Sequence, residues 1–202
     1  RRQRQMCIRD RLNTDIIRDL DIDWLGRIGD IPIHVASGGG GLPRTVNNDE
    51  YLIQCLEWLS ELDDVVNVSE VCVNTKLIER IVRDDIRRMV KHYFLMFAEE
   101  DKGYVTELVN DNRVEEKIEL YQQSFVSYAK KGFFSFDKAN LNNKSRKTYN
   151  LIACPCNLNH CKNIRAPFSL SEFYCEPFNM LRDSFDTTSF DKFNRINLKE
   201  VR

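Results

Sequence analysis

Nothing in the chain approaches the roughly 18 unbroken apolar residues that a membrane-spanning helix needs. Asp84-Asp85 and Lys91-His92 interrupt its longest apolar segments, which argues against a membrane protein. Histidines number only three, so few imidazoles are on hand for acid–base or metal chemistry. Neither an internal repeat nor a low-complexity linker is present. Four of the eight glycines fall together at Gly38–Gly41. No Lys-Ser or Lys-Thr follows that run, so it is no P-loop, and Pro43 stands where a dinucleotide fingerprint needs its third glycine. The sequence also lacks a Gly-x-Ser-x-Gly nucleophile elbow and the Cys-x-x-Cys redox spacing. No signal-peptide pattern is visible, although a missing N-terminus would hide one.

What is present starts with a segment foreign to the rest. Arg1 to Asp10, RRQRQMCIRD, resembles codon by codon the translation of transposon-based sequencing-library adapter DNA, and a leftover AG fits Arg11. Such scars are set apart from fold reasoning. The chain therefore reads as a metagenomic fragment, taken from about Leu12, with its true N-terminus expected to be missing. Residues 1–11 carry five Arg and one Asp, a net of +4, so the overall −1 leaves −5 for the rest. An Arg-rich arm would suggest nucleic acid, but that arm reads as adapter-derived. The remaining basic runs, Arg87-Arg88, Lys130-Lys131 and Lys144 to Lys147, are short and read as solvated faces. No nucleic-acid partner is expected.

Without Cys7, six cysteines remain. Cys55 and Cys72 stand alone in apolar patterns and read as small core residues. The other four crowd into the last quarter. A chain of this length and apolar content does not need disulfide staples, so a reducing, cytoplasmic setting is expected.

Periodicity organises residues 12–202 as one domain. Trp24 to Ser37 reads as a β-hairpin turning at Gly29-Asp30. Pro32 cannot donate to a ladder and must sit at an edge or a non-bonded site. Asn47 to Leu62 reads as a helix capped by Asn47 or Asn48, with Leu52, Cys55, Leu56, Leu59 and Leu62 in one stripe. Val65 to Val73 is a short strand or connector. Thr75 to about Glu99 is the longest helical pattern, with Glu79 and Arg83 as an i, i+4 pair. A third helix runs from about Asn112 to Lys131, and Gly132 suits its left-handed end. Phe133–Phe136 and Tyr149–Cys154 read as a second hairpin around a polar turn. Beyond Cys154 the pattern weakens. Leu170–Tyr174 and Phe178–Phe185 read as short helices in an aromatic-rich, irregular segment. The expected class is α+β, a small antiparallel sheet from two hairpins packed against three amphipathic helices.

Three groups of residues could carry chemistry. Cys154, Cys156, His160, Cys161 and Cys175 offer soft ligands for zinc, Cys154, Cys156 and Cys161 with either His160 or Cys175 making the four-ligand set. Gly38, Gly39, Gly40 and Gly41, following a strand, would let backbone N–H groups approach an anion or oxyanion. His34 and Ser37 with Asp21 or Asp23 could form a hydrolytic set, and Asp21 and Asp23 on one strand face could hold a metal ion. None of these sets is complete by spacing. The leading expectation is therefore a soluble protein-interaction or regulatory module, stabilised by zinc if the cysteines cluster, with a protein partner. The alternative is a small metal-dependent or hydrolytic enzyme acting at the His34–Gly41 loop.

Overall fold

The computed structural model describes residues 22–38, 41–96, 111–139, 147–181 and 184–201. The adapter-like segment and Asp21 lie outside them. The chain forms β1 (Asp23–Ile28) and β2 (Ile31–Ala36), then α1 (Asp49–Glu61), β3 (Val71–Val73), α2 (Thr75–Met96) and α3 (Asp111–Lys130). It continues through β4 (Phe134–Lys138), β5 (Thr148–Pro155), α4 (Leu158–Lys162), β6 (Phe173–Tyr174), β7 (Ile196–Asn197) and β8 (Lys199–Glu200).

Local signals operate where the chain pairs with itself nearby. Gly29, at φ +56°, closes the β1–β2 hairpin, in which Asp23 faces Ala36 and Ile28 faces Ile31. Asn48 caps α1, its side-chain oxygen accepting from Glu50 N at 2.9 Å. Gly132 sits at φ +90° after α3, its N–H bonded to Ala129 O, and Phe133 N bonds back to Tyr128 O. An L side chain there would be strained and would also press on Ile164.

The sheet is mixed rather than antiparallel, which corrects the expectation. Its order is β1-β2-β4-β5-β3, with β7 also paired to β5. Both hairpins form, but they join through a parallel pairing of β2 with β4, Ile33 beside Phe134 and Ala36 beside Asp137. The physical reason is the long connection. Between β2 and β4 the chain passes through three long helices and β3, long enough to return to the starting end of the sheet. Pro32 lies just before the first residue of β2 that pairs with β4, so no ladder bond to β4 is lost.

Two layers cover the sheet. One apolar cluster joins α2 and α3 (Ile78, Val82, Ile86, Phe125, Ala129) to Ala36, Ile152 and Ala153. The pairing of β4 with β5 shifts register between Ser135 and Phe136, leaving Ile152 extra, and Ile152 and Ala153 belong to the same cluster. The other cluster joins α1 (Leu52, Cys55, Trp58) and the C-terminal segment to Ile33, Val35, Phe134 and Phe136.

The C-terminal segment departs from its expected short helices. Residues 173–174 are extended as β6, which pairs with β8, and Glu176–Met180 and Thr187–Phe193 are 3-10 turns. Prolines and scattered aromatics suit such turns because tertiary packing, not helical periodicity, holds them. Phe178 and Phe193 pack at 5.2 Å, and both meet Phe134.

Gly26 shows how closely this segment seats. A Cβ there would lie 2.8 Å from the Phe173 ring and 3.0 Å from Ser171 O. Gly26→Ala is therefore expected to destabilise the fold by about 1–3 kcal/mol. A lower urea midpoint at unchanged slope would show it; an unchanged midpoint would mean that Phe173 does not occupy that seat.

Candidate functional site

Strand alternation sets the chemistry of the two faces. Ile33 and Val35 of β2, with Phe134 and Phe136 of β4, face the C-terminal segment. The intervening residues, His34, Ser135 and Asp137, face α3. Because His34 and Ser135 are register partners across the parallel pair, their side chains meet. His34 Nδ1 is 2.7 Å from Ser135 Oγ, and His34 Nε2 is 3.3 Å from Asp23 Oδ2. The Tyr128 ring of α3 lies flat on the imidazole, centroids 3.5 Å apart and planes 8° apart. The row continues to Asp137, which accepts from the Tyr121 hydroxyl and from Lys138 N.

Asp23, His34 and Ser135 have the members of a nucleophilic triad. Access decides what they can do. His34 and Ser135 are both 0% exposed, and the stacked Tyr128 closes the approach along the ring face. In this arrangement Ser135 is held inside the sheet rather than presented as a nucleophile. Of the other residues expected here, Ser37 accepts from Ile22 N at 3.0 Å, and Asp21 lies outside the described residues. Gly38, at φ +57°, ends β2, Gly41 faces open space, and Gly39 and Gly40 are not among the described residues. Sequence reasoning missed Ser135. Its only signal was a lone hydroxyl in the Phe-Ser-Phe-Asp alternation of β4.

The expected ligand set does not assemble, although Cys154 and Cys161 lie close enough to interact. Cys72, expected as an isolated core residue, forms a disulfide with Cys156, their Cα atoms 5.4 Å apart across 84 residues of sequence. Pairing of β3 with β5 brings them together, which periodicity within either strand could not reveal. A disulfide is at odds with the reducing setting expected from cysteine usage. Cys154, Cys161 and Cys175 are buried free thiols. Burial pushes Cys161 up to about 12 and Cys175 to about 11, and lifts Cys154 well above its ordinary value. His160, on α4, is half-buried. Among the described residues no three His, Cys, Asp or Glu side chains are grouped so as to hold a metal ion.

A large cleft lies elsewhere, at the carboxyl ends of the parallel strands β2 and β4. Ligands of sheets with parallel strands commonly bind at that end. A cleft of about 1200 Å³ opens there between α2, α3 and the strand ends, with Gly38, Asp137 and Lys138 in its wall. Exposed Met89 and Leu120, at 39% and 62%, give its helical sides an apolar edge. Two of its acidic groups are engaged, Asp84 with Arg87 and Asp85 with Arg88. Arg80, Lys117 and Arg195 also line it and have no ion-pair partner among the described residues. Arg195 is held in the left-handed region, φ 54°, while its N–H bonds Asn150 Oδ1 at 2.8 Å.

Compared with protein-family models, curated proteins and solved structures, the chain gives no match.

Three outcomes follow from this geometry. Truncating His34 to Ala leaves a cavity and strips Asp23 and Ser135 of a buried partner. It is expected to cost about 2–4 kcal/mol in chemical denaturation, whereas a neutral result would show that the row contributes nothing. At about pH 8 the four buried thiols, Cys55 among them, are expected to stay unmodified by a disulfide reagent until the protein unfolds. The melting temperature should be unmoved by a zinc chelator, and a chelator-dependent melt would restore a metal role for the cysteines.

Proposed function

We propose that this protein is an interaction module whose cleft between α2 and α3 receives an acidic peptide segment of a protein partner. The observation that carries the reading is the cleft itself. It is large and open, has an apolar edge at Met89 and Leu120, and is lined by Arg80, Lys117 and Arg195, none of them ion-paired among the described residues, while Asp84 and Asp85 are engaged by Arg87 and Arg88. A peptide carrying one or two apolar side chains flanked by Asp or Glu meets both features. Such electrostatic matching sets orientation and rate of encounter as much as affinity. The open shape suits a polypeptide better than an enclosed metabolite.

Fluorescence anisotropy with dye-labelled synthetic peptides tests this. Sequences with Leu or Phe among Asp and Glu are expected to bind, while the same sequences with Lys in place of the acids are not. Joint Arg80→Glu and Arg195→Glu, both at exposed positions, should weaken binding about tenfold or more and steepen no melting change. Equal binding of acidic and basic peptides, or indifference to both reversals, rejects the cleft as the site.

A second reading, a hydrolytic enzyme at the His34 end of the His34–Gly41 loop, draws support from the Asp23–His34–Ser135 contacts. It requires α3 to lift and uncover Ser135. Labelling by a fluorophosphonate that vanishes in Ser135→Ala would favour it over the interaction module.

A further inference from the structure

A smaller hollow of about 340 Å³ opens at the same end of the sheet, on the opposite face. Trp24 of β1 lines it and is only 1% exposed, yet its indole Nε1 has no hydrogen-bond acceptor among the described residues. A buried donor left unpaired costs about 1–3 kcal/mol, so such a group calls for an acceptor. Around it stand the cations Lys147 and Lys199 and the apolar surfaces of Pro43, Leu198 and Tyr149.

Glu200, the one acid among the described residues of the wall, is already committed. Partial burial works against its charge, but hydrogen bonds from Thr45 N (2.9 Å) and Thr45 Oγ1 (3.1 Å), with Lys147 nearby, outweigh that and hold its carboxyl below the usual range. Glu200 therefore stays ionised at neutral pH and anchors the loop after the glycine run to β8. Two ammonium groups against one bound carboxylate leave the hollow cationic, and Trp24, whose buried N–H has no partner among the described residues, is part of its wall.

We propose that this hollow binds a small organic carboxylate, its oxygens taken by the Trp24 indole N–H and flanked by Lys147 and Lys199, its apolar part against Pro43, Leu198 and the Tyr149 ring. The volume lies at the low end for small-molecule sites, which fits a compact acid rather than a nucleotide. Asn197, also in the wall, adds an amide that can donate to the same group. The site is separate from the α2–α3 cleft and does not depend on what that cleft receives.

The chain has two tryptophans, Trp24 and Trp58, so Trp58→Phe leaves Trp24 as the indole reporter. Benzoate and hexanoate are titrated into that variant at low ionic strength, with benzyl alcohol and hexanol as uncharged counterparts and inorganic phosphate as a bare anion. Calorimetry on the unaltered chain runs in parallel, because Trp58 is a core residue and its replacement could weaken the fold. The expected result is a saturable change for at least one carboxylate, with none for its alcohol. Lys199→Glu, at an exposed position, should weaken that binding about tenfold, and Trp24→Phe, which keeps the ring but removes the N–H, should weaken it several-fold in calorimetry. The proposal is overturned if neither carboxylate saturates, if alcohols or phosphate alone bind as well, or if affinity survives both substitutions. In each of those cases the indole N–H holds no more than a solvent molecule.

Discussion

The parallel register of β2 on β4, Ile33 beside Phe134 through Ala36 beside Asp137, decides what each face of the sheet can carry. Side chains alternate along a strand, so one choice of register sends Ile33, Val35, Phe134 and Phe136 to one side together and His34, Ser135 and Asp137 to the other. The first set meets the aromatic C-terminal segment. The second lies under α3, where Tyr128 and Tyr121 supply the polar and stacking contacts it needs. Parallel pairing also aligns the carboxyl ends of β2 and β4, and it is there that the α2–α3 cleft opens. The fold, the buried polar row and the candidate site thus share one origin.

What the sequence made legible was whatever short-range chemistry decides. Gly29 turning a hairpin, Asn48 capping α1, the stripe of Leu52 and Cys55, and Gly132 ending α3 each act within a few residues of themselves. The α+β class follows from them. Three things escaped, each for the same kind of reason. The parallel join of the hairpins depends on where three helices carry the chain before β4. Ser135 acquires a partner in His34, 101 residues away, only through that join. Cys72 meets Cys156 only because β3 pairs with β5. Spacing rules treat a residue by its neighbours in sequence, and these residues take their roles from neighbours across the sheet.

The C-terminal segment illustrates the converse. Its prolines and irregular spacing gave no periodic pattern, yet Phe173 and Phe193 are among the largest fully buried side chains of the described residues, and Phe185 is buried beside them. Aromatic burial of this size contributes strongly without regular secondary structure, since the apolar area removed from water does not depend on periodicity. Backbone bonds then pin the segment at a few points, Arg27 N to Ser171 O and Phe185 N to Cys156 O among them. The close seat of Phe173 over Gly26 is why that strand position has no side chain.

A buried row of His34, Ser135 and Asp137 is costly in a sheet that is otherwise apolar inside, so its persistence calls for a reason apart from catalysis. Register supplies one. Sliding β4 by a single residue would turn Ser135 and Asp137 toward Phe178 and Phe193 and turn Phe134 and Phe136 onto the imidazole side. Each polar group left without a partner there would cost about 1–3 kcal/mol, and an unpaired carboxylate more. In the observed register every member of the row touches a partner: Ser135 on His34, His34 on Asp23 and Tyr128, Asp137 on Tyr121. A parallel pair joined through some hundred residues lacks the tight turn that fixes a hairpin's alignment. The polar row does for β2 and β4 part of what the Gly29 turn does for β1 and β2, penalising the one-residue slip that would turn it to the apolar side.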